Sequence, residues 1–261
     1  MKKTKNKKII IKVSDLSKSF NNNIVLKNIN FKLLEGESLA IIGASGSGKS
    51  VLLKNIIGIL QPDKGSIVIN DTEMVNLTRN LKEKLLLDLG ITFQHGALFD
   101  SLKNWENIIF KTANKEKTNN KQGKQLAFSI IKQLGLQPEI LDLYPSEISG
   151  GMQKRVAIAR AIVLNPKYLF CDEPNSGLDP YTATVIDELL KEITYEYNIT
   201  TVINTHDMNS VMQIGDHIIF IKQGKKMWEG NKEEIMNTNN KDLNDFVFSS
   251  EIFKRLKKSL S

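Results

Sequence analysis

The chain has 261 residues, 41% of them hydrophobic and 25% charged, with 36 Lys and Arg against 29 Asp and Glu for a formal charge of +7. That composition excludes a disordered, collagen-like or disulfide-scaffold chain and leaves ample length for one buried core carrying an inserted lobe. The basic balance invites a nucleic-acid reading, but the charge sits at the ends. The first eight residues carry Lys2, Lys3, Lys5, Lys7 and Lys8, the last eleven net +3, and residues 9–250 sum to −1. The basicity therefore belongs to solvated tails, or to tails drawn weakly to an anionic membrane surface, and no nucleic-acid partner is expected.

In chain order the strands predicted are Ile9–Val13, Ile29–Leu33, Ser38–Ile42, Ser66–Ile69, Ile91–Phe93, Tyr168–Cys171, Thr201–Asn204 and His217–Ile221. The runs from Leu39 to Ile42 and from Tyr168 to Cys171 are apolar without alternation, as strands buried on both faces should be. Helices are predicted to start near Lys49, Met152, Pro180 and Asp207, and Gly65, Gly90 and Gly224 to punctuate turns. The pattern is α/β with a largely parallel central sheet. From about His95 to Leu164 the pattern is helical, so this stretch reads as an inserted lobe, with the polar segment Thr112–Lys124 as a surface loop.

Domain boundaries follow: a basic tail at 1–8, a main domain at 9–230, and an extension at 231–261. The extension spaces Leu243, Phe246, Val247, Ile252, Phe253 and Leu256 as an amphipathic helix would. Such a helix would pack either on a second subunit or over its own sheet edge. Lone Cys171 cannot form an internal bridge and fits a reducing compartment. The short apolar run Ile9–Ile11 makes neither a signal peptide nor a spanning helix, so a soluble cytoplasmic protein is expected.

Gly43-Ala44-Ser45-Gly46-Ser47-Gly48-Lys49-Ser50 fits G-x-x-x-x-G-K-[ST] directly between a predicted strand and a predicted helix. Its glycines let backbone N–H groups turn inward on phosphate oxygens, Lys49 adds a point charge for the outer phosphates, and Ser50 offers a hydroxyl to Mg²⁺. The helix that follows, with Val51 in its first turn, adds its positive N-terminal end. Downstream, an apolar strand ends in Asp172 and Glu173, a pair suited to holding Mg²⁺ and polarising an attacking water. These residues imply a nucleoside triphosphate site.

Between those elements lies Ile148-Ser149-Gly150-Gly151-Met152-Gln153-Lys154-Arg155, and after them come Ser176-Gly177-Leu178-Asp179 and Thr205-His206-Asp207. In that order the motifs resemble the ATP-binding cassette (ABC) family over about residues 9–230. The resemblance implies a phosphate-loop NTPase cassette: a RecA-like core, an antiparallel β subdomain and an inserted helical subdomain at about 95–164. It implies ATP and Mg²⁺ as ligands, and a head-to-tail homodimer in which Lys49 of one copy and Ser149, Gly150 and Gly151 of the other hold each γ-phosphate. Asp179 falls in the loop linking the two sites. Glu173 falls at the catalytic carboxylate, His206 at the switch histidine, and Gln94 at the glutamine that reaches Mg²⁺ and connects to a transport partner. Phe20 falls at the aromatic that stacks on adenine, a residue that could otherwise belong to the core. His217, at a strand start, has no such role.

The segment Phe93-Gln94-His95-Gly96-Ala97-Leu98-Phe99-Asp100-Ser101-Leu102, with Trp105-Glu106-Asn107 and Met152, looks like the ATPase of Mla-type phospholipid transporters. That resemblance implies an integral membrane permease docking near Gln94–Phe110, an MCE-domain protein in the same complex, and peripheral placement on the cytoplasmic face of the inner membrane. The alternative is a cytosolic ABC ATPase acting on ribosomes, nucleic acid or cofactor assembly. Translation-type members usually carry two cassettes and repair-type members a long coiled-coil insertion, and this sequence has neither. A non-hydrolysing scaffold is a third reading, and Glu173 and His206 argue against it.

Overall fold

The computed structural model describes residues 8–113 and 120–249. The first elements are β1 (Ile9–Phe20), β2 (Asn23–Leu34), β3 (Ser38–Ile42), α1 (Lys49–Ile56), β4 (Lys64–Ile69), β5 (Thr72–Glu73), α2 (Arg79–Leu87) and β6 (Leu89–Thr92). Next come α3 (Asn104–Ala113), α4 (Asn120–Gln133), two short 3₁₀ turns, α5 (Gly150–Ile162), β7 (Tyr168–Asp172) and α6 (Pro180–Glu196). The chain closes with β8 (Thr200–Thr205), α7 (Met208–Ile214), β9 (His217–Lys222), β10 (Lys225–Gly230), α8 (Lys232–Met236) and α9 (Lys241–Val247). The described residues form two compact units, one from those within 1–82 and 202–261 and one from those within 83–201.

In the first unit, one sheet is antiparallel with strand order β2-β1-β4-β5. Val13 lies opposite Phe31 on one side and Ile67 on the other, and all three are buried. β1 runs well past the predicted Val13, to Phe20. Register shifts and a left-handed Asp15 (φ 51°) break its alternation, so the polar stretch Ser14–Lys18 conceals a strand that pairing enforces. The second group of strands in this unit has the order β10-β9-β3-β8. β3 pairs parallel to β9, Leu39 against His217 and Ile42 against Phe220, and every residue of β3 is buried.

One apolar cluster in this unit joins Ala40 and Ile42 of β3, Met208 and Val211 of α7, Ile218 and Phe220 of β9, Ile235 of α8 and Leu243 and Val247 of α9. For Leu243, Phe246 and Val247 the two readings of the extension are thus separated: they pack over the sheet of their own chain. Ile252, Phe253 and Leu256 lie outside the described residues, as do Lys2, Lys3, Lys5 and Lys7 of the N-terminal tail.

In the second unit β6 and β7 pair in parallel, Leu89 against Tyr168 and Thr92 against Cys171. Tyr168 to Asp172 are all buried, which explains their unalternating apolar run. α3, α4 and α5 occupy the stretch between these two strands. Several expectations need correction. Gly65 and Gly90 lie inside β4 and β6 rather than in turns; a Cβ on Gly90 would come within 2.7 Å of the Ala161 carbonyl oxygen, so close packing, not a turn, requires that glycine. Gly224 does sit in the β9–β10 turn, at φ 71°. The segment Thr112–Lys124 is only partly a loop: α3 runs to Ala113 and α4 begins at Asn120, with 114–119 outside the described residues. β5, β10 and α2 are additional elements. β10 is a polar edge strand with alternating exposure, and α2 buries none of its residues, so neither carries a strong apolar signal.

Candidate functional site

In the first unit, β3 delivers the chain directly into Gly43–Ser50, and α1 starts at Lys49 with Gly48 at its N-cap. Gly46 and Gly48 adopt φ values of 77° and 107°, the left-handed conformations that allow a loop to present its N–H groups to an anion, and α1 begins directly after them. A Cβ on Gly43 would collide with the Ile221 carbonyl oxygen, so only glycine lets the loop pass β9. The Lys49 side chain is buried and its Nζ donates to the carbonyls of Gly43 (2.8 Å) and Ala44 (3.1 Å), which folds the cation back over the loop. Ser50 and Val51 follow in the first turn of α1. A cavity of about 400 Å³ opens beside Ala44, Ser45, Gly46 and Ser47, and Lys222, Asp242 and Phe246 also line it. Asp242 and Phe246 belong to α9, a wall that no motif announced.

Phe20 ends β1 and is 42% exposed, so it is not the core residue that was its alternative reading. The Lys18 ammonium stands 5.4 Å from its ring centroid. His206 follows the last residue of β8 and is exposed. It is held between Thr205, whose hydroxyl accepts the Asp207 N–H at 3.0 Å, and Asp207, which caps α7 by accepting the Asn209 N–H at 2.9 Å. His217 lies 3.0 Å from the Glu229 carboxylate across β9 and β10, a sheet-edge pair.

In the second unit the parallel register does the positioning. Thr92 of β6 faces Cys171 of β7, so Gln94 and Glu173 each stand two residues beyond the same rung. Gln94 Nε2 donates to Glu173 Oε2 at 3.0 Å. Glu173 has φ 48°, a left-handed conformation that a non-glycine residue keeps only where its surroundings enforce it. Asp172 ends β7 and is buried. Lys154, on α5, donates from Nζ to the Gln94 carbonyl oxygen. Burial holds its ammonium below the usual lysine range, and the Glu173 carboxylate draws it partly back.

Ser149 caps α5, its hydroxyl accepting the Met152 N–H at 3.3 Å, and Ser149 and Gly150 are exposed at that helix start. Gly151 presses on Thr182. Asp179, the N-cap of α6, accepts both the Thr182 N–H (3.0 Å) and its hydroxyl (2.6 Å), bonds that hold the Asp179 carboxyl below the usual carboxylate range. Two motifs far apart in sequence thus meet at one threonine. Among the described residues no group of three or more His, Cys, Asp or Glu gathers as a metal centre. Taken each by itself, Ser50 in the first unit and Gln94 and Asp172 in the second offer hydroxyl, amide and carboxylate oxygens, the hard donor types that Mg²⁺ takes.

A strand, a glycine loop and a helix start built to hold phosphate, with a paired carboxylate at the end of a buried strand, define a phosphate-loop nucleotide-binding protein. A model of the family described as "ABC transporter" matches residues 26–176. The arginine transport ATP-binding protein ArtM of Bacillus subtilis is 38% identical over 239 residues, 91% of this chain and 98% of that protein. The chloroplastic protein TRIGALACTOSYLDIACYLGLYCEROL 3 of Arabidopsis thaliana is 34% identical over 258 residues, covering 93% and 74% of the two chains. The dimeric post-hydrolysis structure of the ATP-binding cassette MJ0796, bound to ADP and Pi, superposes with a TM-score of 0.78 at 32% identity, over 85% of this chain and 98% of that one. The chain belongs to the ABC transporter family and is a nucleotide-hydrolysing ATPase with the cassette fold. No helix among the described residues is long and apolar enough to cross a membrane.

Proposed function

We propose that this ATPase works as a homodimer and powers phospholipid transport between membranes through an integral permease, in a complex that includes an MCE-domain protein. The observation that carries the docking is an exposed aromatic pair on the segment after Gln94. The rings of Phe99 and Phe110 lie 4.5 Å apart, 42% and 39% exposed, an apolar pair that a docking partner could cover. The lipid reading draws support from the Phe93–Leu102 segment and from the similarity to the chloroplastic protein above. The 38% identity to an arginine transport ATPase favours the second reading, an amino-acid permease as partner. On either reading the ATPase sits peripherally on the cytoplasmic face of the inner membrane. Its domains are 9–230, with a helical lobe at about 95–164, and the extension 231–261.

In this proposal Phe20 stacks on adenine and residues 43–51 cradle the phosphates. Lys49 of one copy and Ser149, Gly150 and Gly151 of the other hold the γ-phosphate, with Asp179 linking the two sites. Mg²⁺, held by Ser50, Gln94 and Asp172, would supply charge neutralisation on the phosphates. Glu173 orients or deprotonates the attacking water, and His206 holds the γ-phosphate and that water in register. Glu173→Gln keeps an acceptor for the Gln94 amide and therefore the fold. It should lower ATP turnover by about 10²- to 10⁴-fold while ATP binding persists and closed dimers accumulate. Phosphate release and gel filtration read this out, and turnover near the wild-type rate removes Glu173 from the role. Recovery of the complex in mild detergent, with its membrane proteins and lipids identified, tests the cargo. Co-purifying phospholipid and an MCE-domain protein support the proposal, and an amino-acid permease overturns it.

A further inference from the structure

The loop that leaves β6 is gripped from α5 by two cations. Lys154 Nζ donates to the Gln94 carbonyl, while Arg160 donates to the carbonyls of Gly96 (2.6 Å) and Ala97 (2.7 Å). Ala97 itself sits at φ 48°, so this stretch of backbone is held in a conformation it would not adopt alone. From the other side, the Gln94 side chain donates to Glu173. Gln94 is therefore fixed at both ends, its main chain by Lys154 and its amide by Glu173. Lys154 as a residue is only 9% exposed, and a lysine so placed keeps its charge where partners compensate the lost water. Those partners are the Gln94 carbonyl and the charge of Glu173.

We propose that Lys154 is a positioning residue for ATP hydrolysis: by tying the Gln94 carbonyl to α5, it sets the Gln94 amide against the Glu173 carboxylate. This rests on the assignment of Glu173 as the catalytic carboxylate made above. Lys154 acts on the reaction through Gln94 and Glu173. Its loss leaves the phosphate cradle of Gly43–Ser50 intact, so the effect falls on turnover and spares nucleotide affinity.

The test compares Lys154→Met and Lys154→Arg in the full chain, with Glu173→Gln beside them. The Met variant keeps the stem and loses the donor and the charge. It should lower kcat by about tenfold or more, the effect of displacing a reacting group by a fraction of an ångström, with the affinity for a fluorescent ATP analogue within about twofold of wild type. Hydrogen exchange at the amides of 94–97 should quicken in that variant. Lys154→Arg, which retains a cationic donor, should return kcat to within about threefold of wild type. Unchanged kcat in the Met variant overturns the proposal, and so does a parallel loss of affinity and kcat in both variants. If the Met variant fails to fold, Lys154→Gln is judged by the same readings. Should Glu173→Gln turn over normally, the assignment of Glu173 fails first; if it stalls while Lys154→Met is normal, only the role of Lys154 fails.

Discussion

Gly151→Ala isolates one contact on which the start of α5 depends. Gly151 has helical backbone, so conformation permits alanine there; space does not. An added Cβ would lie 2.5 Å from Thr182 Cγ2, well inside carbon–carbon contact. Thr182 cannot simply turn away, because its hydroxyl donates to Asp179 Oδ2 at 2.6 Å and rotation would break that charge-assisted bond. The protein must either shift α5 against α6 or surrender the bond, and both routes cost about 1–3 kcal/mol. In a chain of this size that lowers Tm by about 3–9 °C. Differential scanning calorimetry measures it, with two controls. Gly150→Ala meets only Leu178 Cδ2 at 3.9 Å and should leave Tm unchanged or slightly raised. Gly151→Ala combined with Thr182→Ser, which removes Cγ2 and keeps the hydroxyl, should recover most of the loss. If the serine recovers nothing, the clash is not the cause and the reasoning fails.

Three further outcomes follow from other parts of the molecule. Phe20→Ala should weaken ATP binding about tenfold, because an aromatic–base stack contributes about 1–3 kcal/mol, with Tm little altered since the ring is already 42% exposed; isothermal titration reads the first and a melt the second. Leu243→Ala empties a fully buried position among Ile42, Phe220 and Val247 and should destabilise by about 2–5 kcal/mol in urea, whereas a loss below about 0.5 kcal/mol would mean that α9 does not pack as described. Cys171 is fully buried, and burial pushes its thiol from 9.0 up to about 12. It should resist thiol reagents at pH 8 until the protein unfolds. Because the unfolded thiol ionises near 9 and the folded one does not, its contribution to stability is complete below pH 9 and is lost as pH rises toward 12, which denaturant melts across that window would show.

Much of the chemistry was legible before folding because it is local. Gly43–Ser50 is one loop and the helix start it runs into, Tyr168–Glu173 one strand and its end, and Ser149–Gly151 one helix start. Each announces itself through residues a few positions apart, and β3 and β7 showed in their unalternating apolar runs because both faces of those strands are buried. Weakly apolar elements escaped. The far half of β1 and all of β10 are strands because partners pair with them, and α2 buries nothing of its own.

By itself, then, the sequence determined the class of ligand and the motif order, and it supplied the residues proposed to carry the chemistry. Only the tertiary structure decided what those residues lean on. Lys154 finds the Gln94 carbonyl 60 positions away, and Gln94 finds Glu173 79 positions away, because β6 and β7 pair in one register and α5 lies over their loop. Gly151 meets Thr182, and α9 walls the cavity beside the phosphate loop, for the same reason. Contacts between distant segments depend on strand register and helix packing. Both are set by how whole faces bury together, a property that no short stretch of chain contains.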